Sequence, residues 1–307
     1  MTTPRVFIIR HGETEWSLNG KHTGTSDIPL TVNGEKRIRA TGKALVGADR
    51  LIVPKNLAHI YVSPRKRAQR TLELLGLGCK EPIPWQQHGD IAAPNAGGET
   101  VGVGEEEQTT GTGAKIEITE AVREWDYGDY EGVTSQEIRK QREEKGQGEW
   151  DIWRDGCPGG EYGPTPFPQT QPPSLPHRHE SQDKHDDEGA LTNKPSPGYN
   201  RSPQQITARL DELISDIRQR FHSHAIGKPK GTVHEPFDVL IVAHGHILRA
   251  LAGRWVGRNI ADNPSLILEA GGVGTLSYEH HNLHEPAILL GGAFMSDVVE
   301  QVEEGRR

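Results

Sequence analysis

The sequence has few cysteines and no long hydrophobic run. Only Cys79 and Cys157 occur in 307 residues, which is too few for a disulfide framework or a cysteine-rich zinc fold. No apolar segment approaches the ~18 residues that a membrane helix requires, and the apolar run at 6–9 is too brief for a secretory signal. We therefore expect a cytoplasmic protein with no membrane partner, with the nucleus as a second candidate location.

An excess of basic residues is also absent. The 35 Lys and Arg residues are outnumbered by 43 Asp and Glu residues, which gives a net charge of −8. Such a chain has no global attraction for nucleic acid, so any anion that it binds must be held by a local basic cluster. No Gly-x-Gly-x-x-Gly fingerprint follows the first predicted strand, which argues against a nicotinamide-binding domain.

Two polar segments dilute the hydrophobic content, which is 33%. Residues 86–115 contain seven Gly and an acidic triplet, and residues 162–202 contain eight Pro in 41 positions. Neither segment buries enough apolar surface to offset the entropy of ordering it, so we expect disordered insertions. We predict that 1–307 is a single domain interrupted by both segments. Residues 162–202 are interpreted either as a true insertion or as a retained intron.

Short apolar runs alternate with amphipathic stretches in the rest of the chain, a pattern typical of a sheet flanked by helices. Buried strands are predicted at Val6–Arg10, 58–62 and Asp238–Ala243, and a last strand pair at 274–278 and 287–290. We therefore predict an α/β protein of three layers, α/β/α, with a mostly parallel central sheet.

Capping signals place three helices. A Ser-Pro pair at 63–64 predicts a helix through 65–75. Capping boxes at 134–137 and 202–205 each open another helix. The last of these should bury one apolar face, made of Ile206, Leu210, Leu213, Ile214 and Ile217.

A His-Gly pair follows two of the predicted strands. Arg10-His11-Gly12 ends the first strand, and His244-Gly245 follows Asp238–Ala243. Ligands of open α/β sheets bind beyond the carboxyl ends of strands. If these two strands pair side by side and parallel, His11 and His244 should lie within a few ångströms of each other. The alternative, two unrelated histidines, does not explain the repeated placement.

Two imidazoles beside guanidinium groups suit phosphoryl transfer. A neutral imidazole can attack phosphorus and form a phosphohistidine, while cationic donors stabilise the three equatorial oxygens. Arg10 is one candidate donor. Arg65 and Arg67 both follow the second predicted strand at a helix N-terminus, a favourable place for phosphate, and spacing alone does not choose between them.

The leaving alkoxide needs a proton, which a positioned carboxylic acid can supply. The segment 123–132 is rich in acids and aromatics, and its four acids are Glu124, Asp126, Asp129 and Glu131. Composition alone does not say which of them donates the proton, and a solvated acidic turn is the alternative interpretation.

Five segments, in this order, resemble the histidine phosphatase superfamily, the phosphoglycerate-mutase-like clan; they are residues 7–16, 22–35, 63–71, 123–132 and 242–250. The resemblance implies a phosphoglycerate mutase-like fold with His11 as the phosphorylated nucleophile. It further implies that Arg10, Arg67 and His244 hold the phosphoryl oxygens and that Glu124 is the proton donor.

The resemblance also bears on specificity and cofactors. It selects Arg67 through an Arg-Ala-x-x-Thr pattern at 67–71, and it requires neither a metal nor a cofactor. The candidate substrate contacts at this end of the fold are Thr23, Gly24, Tyr127 and Gly245. Ser17 departs from the Asn that many mutases of the clan carry, which weakens a transfer of mutase specificity.

Within the superfamily the chain is similar to enzymes of the sedoheptulose-1,7-bisphosphatase type, in residues 16–17, 123–132, 151–161 and 268–294. This similarity implies a small-molecule sugar bisphosphate substrate and a place in ribose-forming carbohydrate metabolism.

A bisphosphate carries a second dianion, for which a second basic cluster is expected. Arg249 and His281 are the candidates. The alternatives are a surface ion pair for Arg249 and a strand-end cap for His281. For the whole chain, the competing functions are mutase-type phosphoryl transfer and a catalytically idle phosphate-binding module, and a homo-oligomer is left open.

Overall fold

The computed structural model describes residues 1–80, 83–86, 111–159, 202–262 and 265–290. Within these ranges the strands are β1 Val6–Arg10, β2 Leu57–Val62, β3 Lys115–Ile118, β4 Asp238–Ala243, β5 Val273–Tyr278 and β6 Pro286–Leu289. They form one sheet in the order β3-β2-β4-β1-β5-β6.

Helices connect these strands in the described ranges. The α-helices are α1 Glu15–Leu18, α2 Val32–Leu45, α3 Lys66–Leu74, α4 Ser135–Glu144, α5 Ile152–Asp155, α6 Pro203–Ile217 and α7 Gly245–Trp255. Short 3₁₀ turns span Pro54–Asn56, Pro84–Gln86, Glu120–Val122, Gly128–Tyr130 and Ile260–Asp262, and the π-helical Arg218–His222 extends α6. Among the helices described, none has the length and apolarity needed to cross a membrane.

The sheet is mostly parallel, as predicted. β3, β2, β4 and β1 run in the same direction, whereas β5 is antiparallel to β1 and β6 is antiparallel to β5. In the β1–β4 ladder Arg10 pairs with Ala243, and the next amide continues it, because His11 N–H donates to Ala243 O at 2.9 Å. The residues after β1 and β4 therefore lie side by side.

Helices cover both faces of the sheet, which confirms the three layers. Val6 and Ile8 of β1 belong to an apolar cluster that includes residues of α6 and α7. Phe7 and Ile9 point to the other face, in a cluster with residues of α2 and α3. Since successive strand residues face opposite sides, a strand buried on both faces is apolar throughout.

The capping signals are confirmed for two helices and displaced for one. Capping boxes open α4 at Thr134 and α6 at Ser202. All five apolar residues predicted for one face of α6 are buried. The helix predicted from 63–64 begins only at Lys66, after Arg65 as N-cap. The Ser63 hydroxyl instead hydrogen-bonds to His244 Nε2 at 2.7 Å.

Other boundaries differ by a few residues. β5 begins one residue earlier than predicted, and β6 is shifted one residue toward the N-terminus. The helix α2 and the strand β3 were not predicted. The last residues of the two predicted insertions, Lys115 and Ser202, belong to ordered elements: Lys115 begins β3 and Ser202 caps α6. Residues 87–110 and 162–201 lie outside the described residues.

We predict that α6 contributes strongly to stability through Leu210, which is fully buried. Leu210→Ala should lower the free energy of unfolding by about 2–5 kcal/mol, measured by urea denaturation, because it leaves a cavity. The exposed Glu212 on the same helix is the control, and Glu212→Ala should change that free energy by less than about 0.5 kcal/mol. Equal losses for both variants would contradict the packing described.

Candidate active site

His11 and His244 lie together at the carboxyl edge of the sheet. Their ring centroids are 5.1 Å apart with an interplanar angle of 61°, and both residues are buried. The adjacency follows from the parallel register of β1 and β4, as the sequence predicted.

The surroundings of His11 leave one ring nitrogen free to react. Its Nδ1 lies 2.7 Å from the carbonyl oxygen of Gly12. A carbonyl can only accept, so Nδ1 carries the proton and the lone pair of the neutral ring is on Nε2. Burial, with the positive charges of Arg67 and then Arg10, lowers the His11 pKa well below 6.5. His11 is therefore a neutral imidazole at physiological pH, with Nε2 as its nucleophilic atom.

Arg67 is the guanidinium that the structure brings to the two histidines. It is fully buried, and its Nε–H donates to His244 Nδ1 at 3.2 Å. Its terminal nitrogens donate to Ser26 O at 2.7 Å and Thr23 O at 3.0 Å. Burial lowers the Arg67 pKa to about 10, so it stays cationic near neutrality. Of its five N–H groups, two have no hydrogen-bond partner among the described residues and can bind an anion.

His244 holds Arg67 from the sheet side. Because its Nδ1 accepts from Arg67, the proton of the neutral ring is on Nε2, which donates to Ser63 Oγ at 2.7 Å. Burial and then Arg67 lower the His244 pKa well below 6.5. Both ring nitrogens thus contact protein groups, and the phosphoryl contact implied by the resemblance stays a prediction.

Arg10, the last residue of β1, directs a second guanidinium to the same edge. One terminal nitrogen donates to Leu268 O at 2.9 Å, while Nε is buried without a hydrogen-bond partner among the described residues. A Cβ at position 245 would lie only 3.3 Å from Arg10 Cζ. Gly245 therefore leaves the space that this guanidinium needs.

Glu124 is the acid of segment 123–132 that is buried beside α7. Its Oε1 accepts hydrogen bonds from Trp125 N at 3.0 Å and Ile247 N at 2.9 Å, and its Oε2 accepts one from His246 N at 3.0 Å. Two of these donors belong to the first turn of α7, where unpaired N–H groups favour an acidic partner.

Burial raises the pKa of Glu124, although the three backbone N–H groups and Arg67 act in the opposite direction. Among the described residues Oε2 has a single hydrogen-bond partner, so it is the oxygen with room for a proton. A carboxyl with a raised pKa and an imidazole with a lowered pKa are suited to the separate roles of acid and nucleophile.

Aromatic side chains form a wall beside Glu124. The Tyr127 hydroxyl lies 2.8 Å from His246 Nδ1, and the ring of His22 is 4.7 Å from that of Tyr127. Burial lowers the His22 pKa to about 4. His22 and His246 were not among the predicted site residues, although each stands within a segment that carries the family resemblance.

Arg249, predicted to bind a distal phosphate, lies on this same side of the molecule. Its guanidinium is 5.0 Å from the ring centroid of Trp153, and its Nε is buried without a hydrogen-bond partner in the ranges described. Burial lowers its pKa, and the nearby Glu124 acts in the opposite direction. No surface ion pair of Arg249 occurs within the described residues, in contrast to Arg254 on the same helix, which pairs with Asp211.

The structure does not bring His281, the other candidate for the distal phosphate, to this site. Because β5 is antiparallel to β1, the turn after Tyr278 lies at the opposite edge of the sheet. His281 is exposed there, and its Nδ1 contacts the Thr3 hydroxyl just before β1. The sequence did not reveal that the chain direction reverses at β5.

The remaining predicted substrate contacts lie in one loop. Thr23 offers its carbonyl to Arg67. A Cβ at Gly24 would lie 2.0 Å from Trp125 O, so only glycine lets the loop pack against the residue after Glu124.

Comparisons with known proteins agree with this geometry. The family model of the histidine phosphatase superfamily (branch 1) matches residues 6–97, 106–165 and 171–285. The chain is 30% identical to sedoheptulose 1,7-bisphosphatase of Saccharomyces cerevisiae, covering 99% of this chain and 98% of the relative. It is 26% identical to an acid phosphatase of Mycobacterium tuberculosis, covering 90% and 87%. An alpha-ribazole phosphatase structure from Shigella flexneri shares the fold, with a TM-score of 0.54 at 16% identity over 95% and 99% of the two chains.

We predict that Glu124→Gln slows phosphate release by about 10²–10⁴-fold, as expected for a lost general acid. The raised pKa of Glu124 means that wild-type activity falls as rising pH deprotonates this carboxyl, and the variant should lose that limb of the kcat/KM profile. The exposed Asp129 in the same segment is the control. An unchanged profile in Glu124→Gln, or the same loss in Asp129→Asn, would contradict the assignment.

Proposed function

We propose that this chain, which belongs to the histidine phosphatase superfamily, is a phosphatase that converts sedoheptulose 1,7-bisphosphate to sedoheptulose 7-phosphate through a phosphohistidine. The observation that carries the proposal is the convergence of a neutral His11, the guanidinium groups of Arg10 and Arg67, and the protonatable Glu124 at one edge of the sheet. The substrate is proposed from the identity to the yeast relative over nearly both full lengths.

In the first step, His11 Nε2 attacks phosphorus, and the bond between phosphorus and the C1 oxygen breaks. Glu124 gives its proton to that oxygen, so sedoheptulose 7-phosphate leaves as the alcohol. The free N–H groups of Arg10 and Arg67 stabilise the charge on the transferred phosphoryl oxygens, where preorganised donors have their largest effect.

In the second step, the Glu124 carboxylate takes a proton from water, whose oxygen attacks the phosphorus. The P–N bond breaks, inorganic phosphate is released, and the electron pair returns to His11 Nε2. Glu124 is then protonated again for the next cycle, as general acid–base catalysis requires. The scheme uses only groups of this chain, and we expect no cofactor or metal.

Arg249 is proposed to bind the distal phosphate. The stack on Trp153 orients its guanidinium, and its buried Nε lacks a partner among the described residues. A second phosphate dianion would supply that partner and offset the cost of burying the cation. This role would distinguish bisphosphates from monophosphates.

The substrate proposal is tested by phosphate release over sugar mono- and bisphosphates of five, six and seven carbons, with and without EDTA. We expect the highest kcat/KM for sedoheptulose 1,7-bisphosphate and no effect of EDTA. Rapid isomerisation of 3-phosphoglycerate without phosphate release would show a mutase instead. Phosphate binding without turnover of any substrate would show an idle binding module.

We predict that Arg249→Met lowers kcat/KM for the bisphosphate by about 10–100-fold, the value of one charged hydrogen bond. Fructose 1-phosphate, which has no distal phosphate, should lose less than about twofold, since Arg249 contacts no other part of the reaction. Arg254→Met, on the same helix but paired with Asp211, is the control. Equal losses with both substrates would contradict the distal-phosphate role.

A further inference from the structure

Glu131 holds a loop of residues 23–26, here termed the anchoring loop. Gly24 N–H lies 3.0 Å from both carboxylate oxygens. Thr25 N–H donates to Oε1 at 3.1 Å and Ser26 N–H at 2.8 Å. One side chain therefore satisfies three consecutive backbone donors of this loop.

The anchoring loop binds Arg67 through its carbonyl groups. Thr23 O and Ser26 O accept from the two terminal nitrogens of Arg67, and its Nε–H reaches His244. The N–H groups of the loop thus point to Glu131 while two of its carbonyls point to Arg67. Hydrogen bonds thus connect Glu131 through the anchoring loop to Arg67, and through Arg67 to His244.

Regular backbone pairing does not fix the shape of this loop. Residues 23–26 belong to neither a helix nor a strand. His22, the residue before the loop, pairs through its backbone with Gly132 and Val133, the residues that follow Glu131. This backbone pairing stops at His22 and does not extend into residues 23–26. Without Glu131, three amides of the loop would lose the acceptor that they have in the described structure. Gly24 is buried, so its N–H group in particular needs that acceptor.

The anchoring loop also sets a spacing inside the site. Gly24 packs so closely against Trp125 O that any Cβ would collide with it, and Trp125 follows Glu124 directly. The loop therefore lies between the backbone of the acid and the guanidinium of Arg67. A shift of the loop would move Arg67 relative to Glu124.

We propose that Glu131 is a positioning residue for phosphoryl transfer, which fixes the Arg67 guanidinium through the anchoring loop and exchanges no proton with the substrate. This rests on the proposed function. Among the four acids of segment 123–132, the proposal gives Glu131 a positioning role and Glu124 the role of proton donor. Misplacement of a charged donor by about 1 Å can cost about 10²-fold in rate, so the effect should appear in kcat.

The test is Glu131→Gln, which keeps the shape but replaces one acceptor oxygen by a donor that faces Gly24 N–H. We expect kcat to fall about 10–100-fold and the inhibition constant of vanadate, a mimic of the transferred phosphoryl group, to rise. The melting temperature should stay within about 4 °C of wild type. Asp129→Asn, which removes an exposed acid of the same turn, should change none of these.

A double-mutant cycle with Arg67→Lys shows whether the effect passes through Arg67. Lysine lacks the planar fork that the loop orients, so adding Glu131→Gln to that variant should cost less than about twofold. A full additional loss, or wild-type kcat in Glu131→Gln, would overturn the proposal. The proposal would also be overturned if the loss of activity in Glu131→Gln equalled the fraction of that variant that is unfolded.

Two further measurements keep the test decisive. If Glu131→Gln does not fold, Glu131→Asp, which keeps the charge on a shorter stem, should show the same loss of kcat and of vanadate binding, and wild-type values would overturn the proposal. If the wild-type chain turns over no sugar phosphate, the proposed function fails, but the positioning role of Glu131 is still tested. Calorimetry then compares the affinity for vanadate of wild type with that of Glu131→Gln. Equal affinities there would overturn the positioning role.

Discussion

The parallel pairing of β1 with β4 is the constraint on which the site depends. Both strands are covered by helices on both faces, and a His-Gly pair directly follows each of them. A slip of one residue would turn every buried side chain to the opposite face, so packing of the core also fixes the relative position of His11 and His244. The geometry of the site is in this sense a consequence of the hydrophobic core.

Burial gives the two groups proposed to be catalytic, His11 and Glu124, opposite and complementary properties. Removal from water disfavours the charged form of each group, so it lowers the pKa of His11 and raises that of Glu124. The first is then a neutral nucleophile and the second is more readily a proton donor. Arg67 lies in the same buried region and remains a cation, because its ordinary pKa is so high that even a strong shift leaves it charged near neutrality.

The sequence predicted the parts of the site that depend on local pattern. The apolar runs marked β1 and β4, and the position of His11 and His244 followed from their parallel pairing. Spacing alone left the choice between Arg65 and Arg67 open, because it depends on where α3 begins; the helix begins at Lys66, and the guanidinium of Arg67 reaches His244.

Features that depend on long-range contacts could not be predicted in this way. His281 was misplaced because only the sheet topology shows that β5 runs antiparallel to β1. The role proposed for Glu131 was hidden for a related reason, since its partners are backbone amides more than a hundred positions away. Backbone donors leave no signature in a sequence, whereas the carboxylate that binds them looks like any acid of its segment.

The central claim is that phosphate passes through His11, and rapid-quench labelling with sugar bisphosphate carrying ³²P at C1 tests it most directly. The account predicts a phosphoprotein that is labile in acid and stable in base, with the label on the peptide that contains residue 11. Folded His11→Ala should show neither label nor turnover. Turnover without a labelled intermediate, or residual activity of His11→Ala above about a hundredth of wild type, would contradict the account.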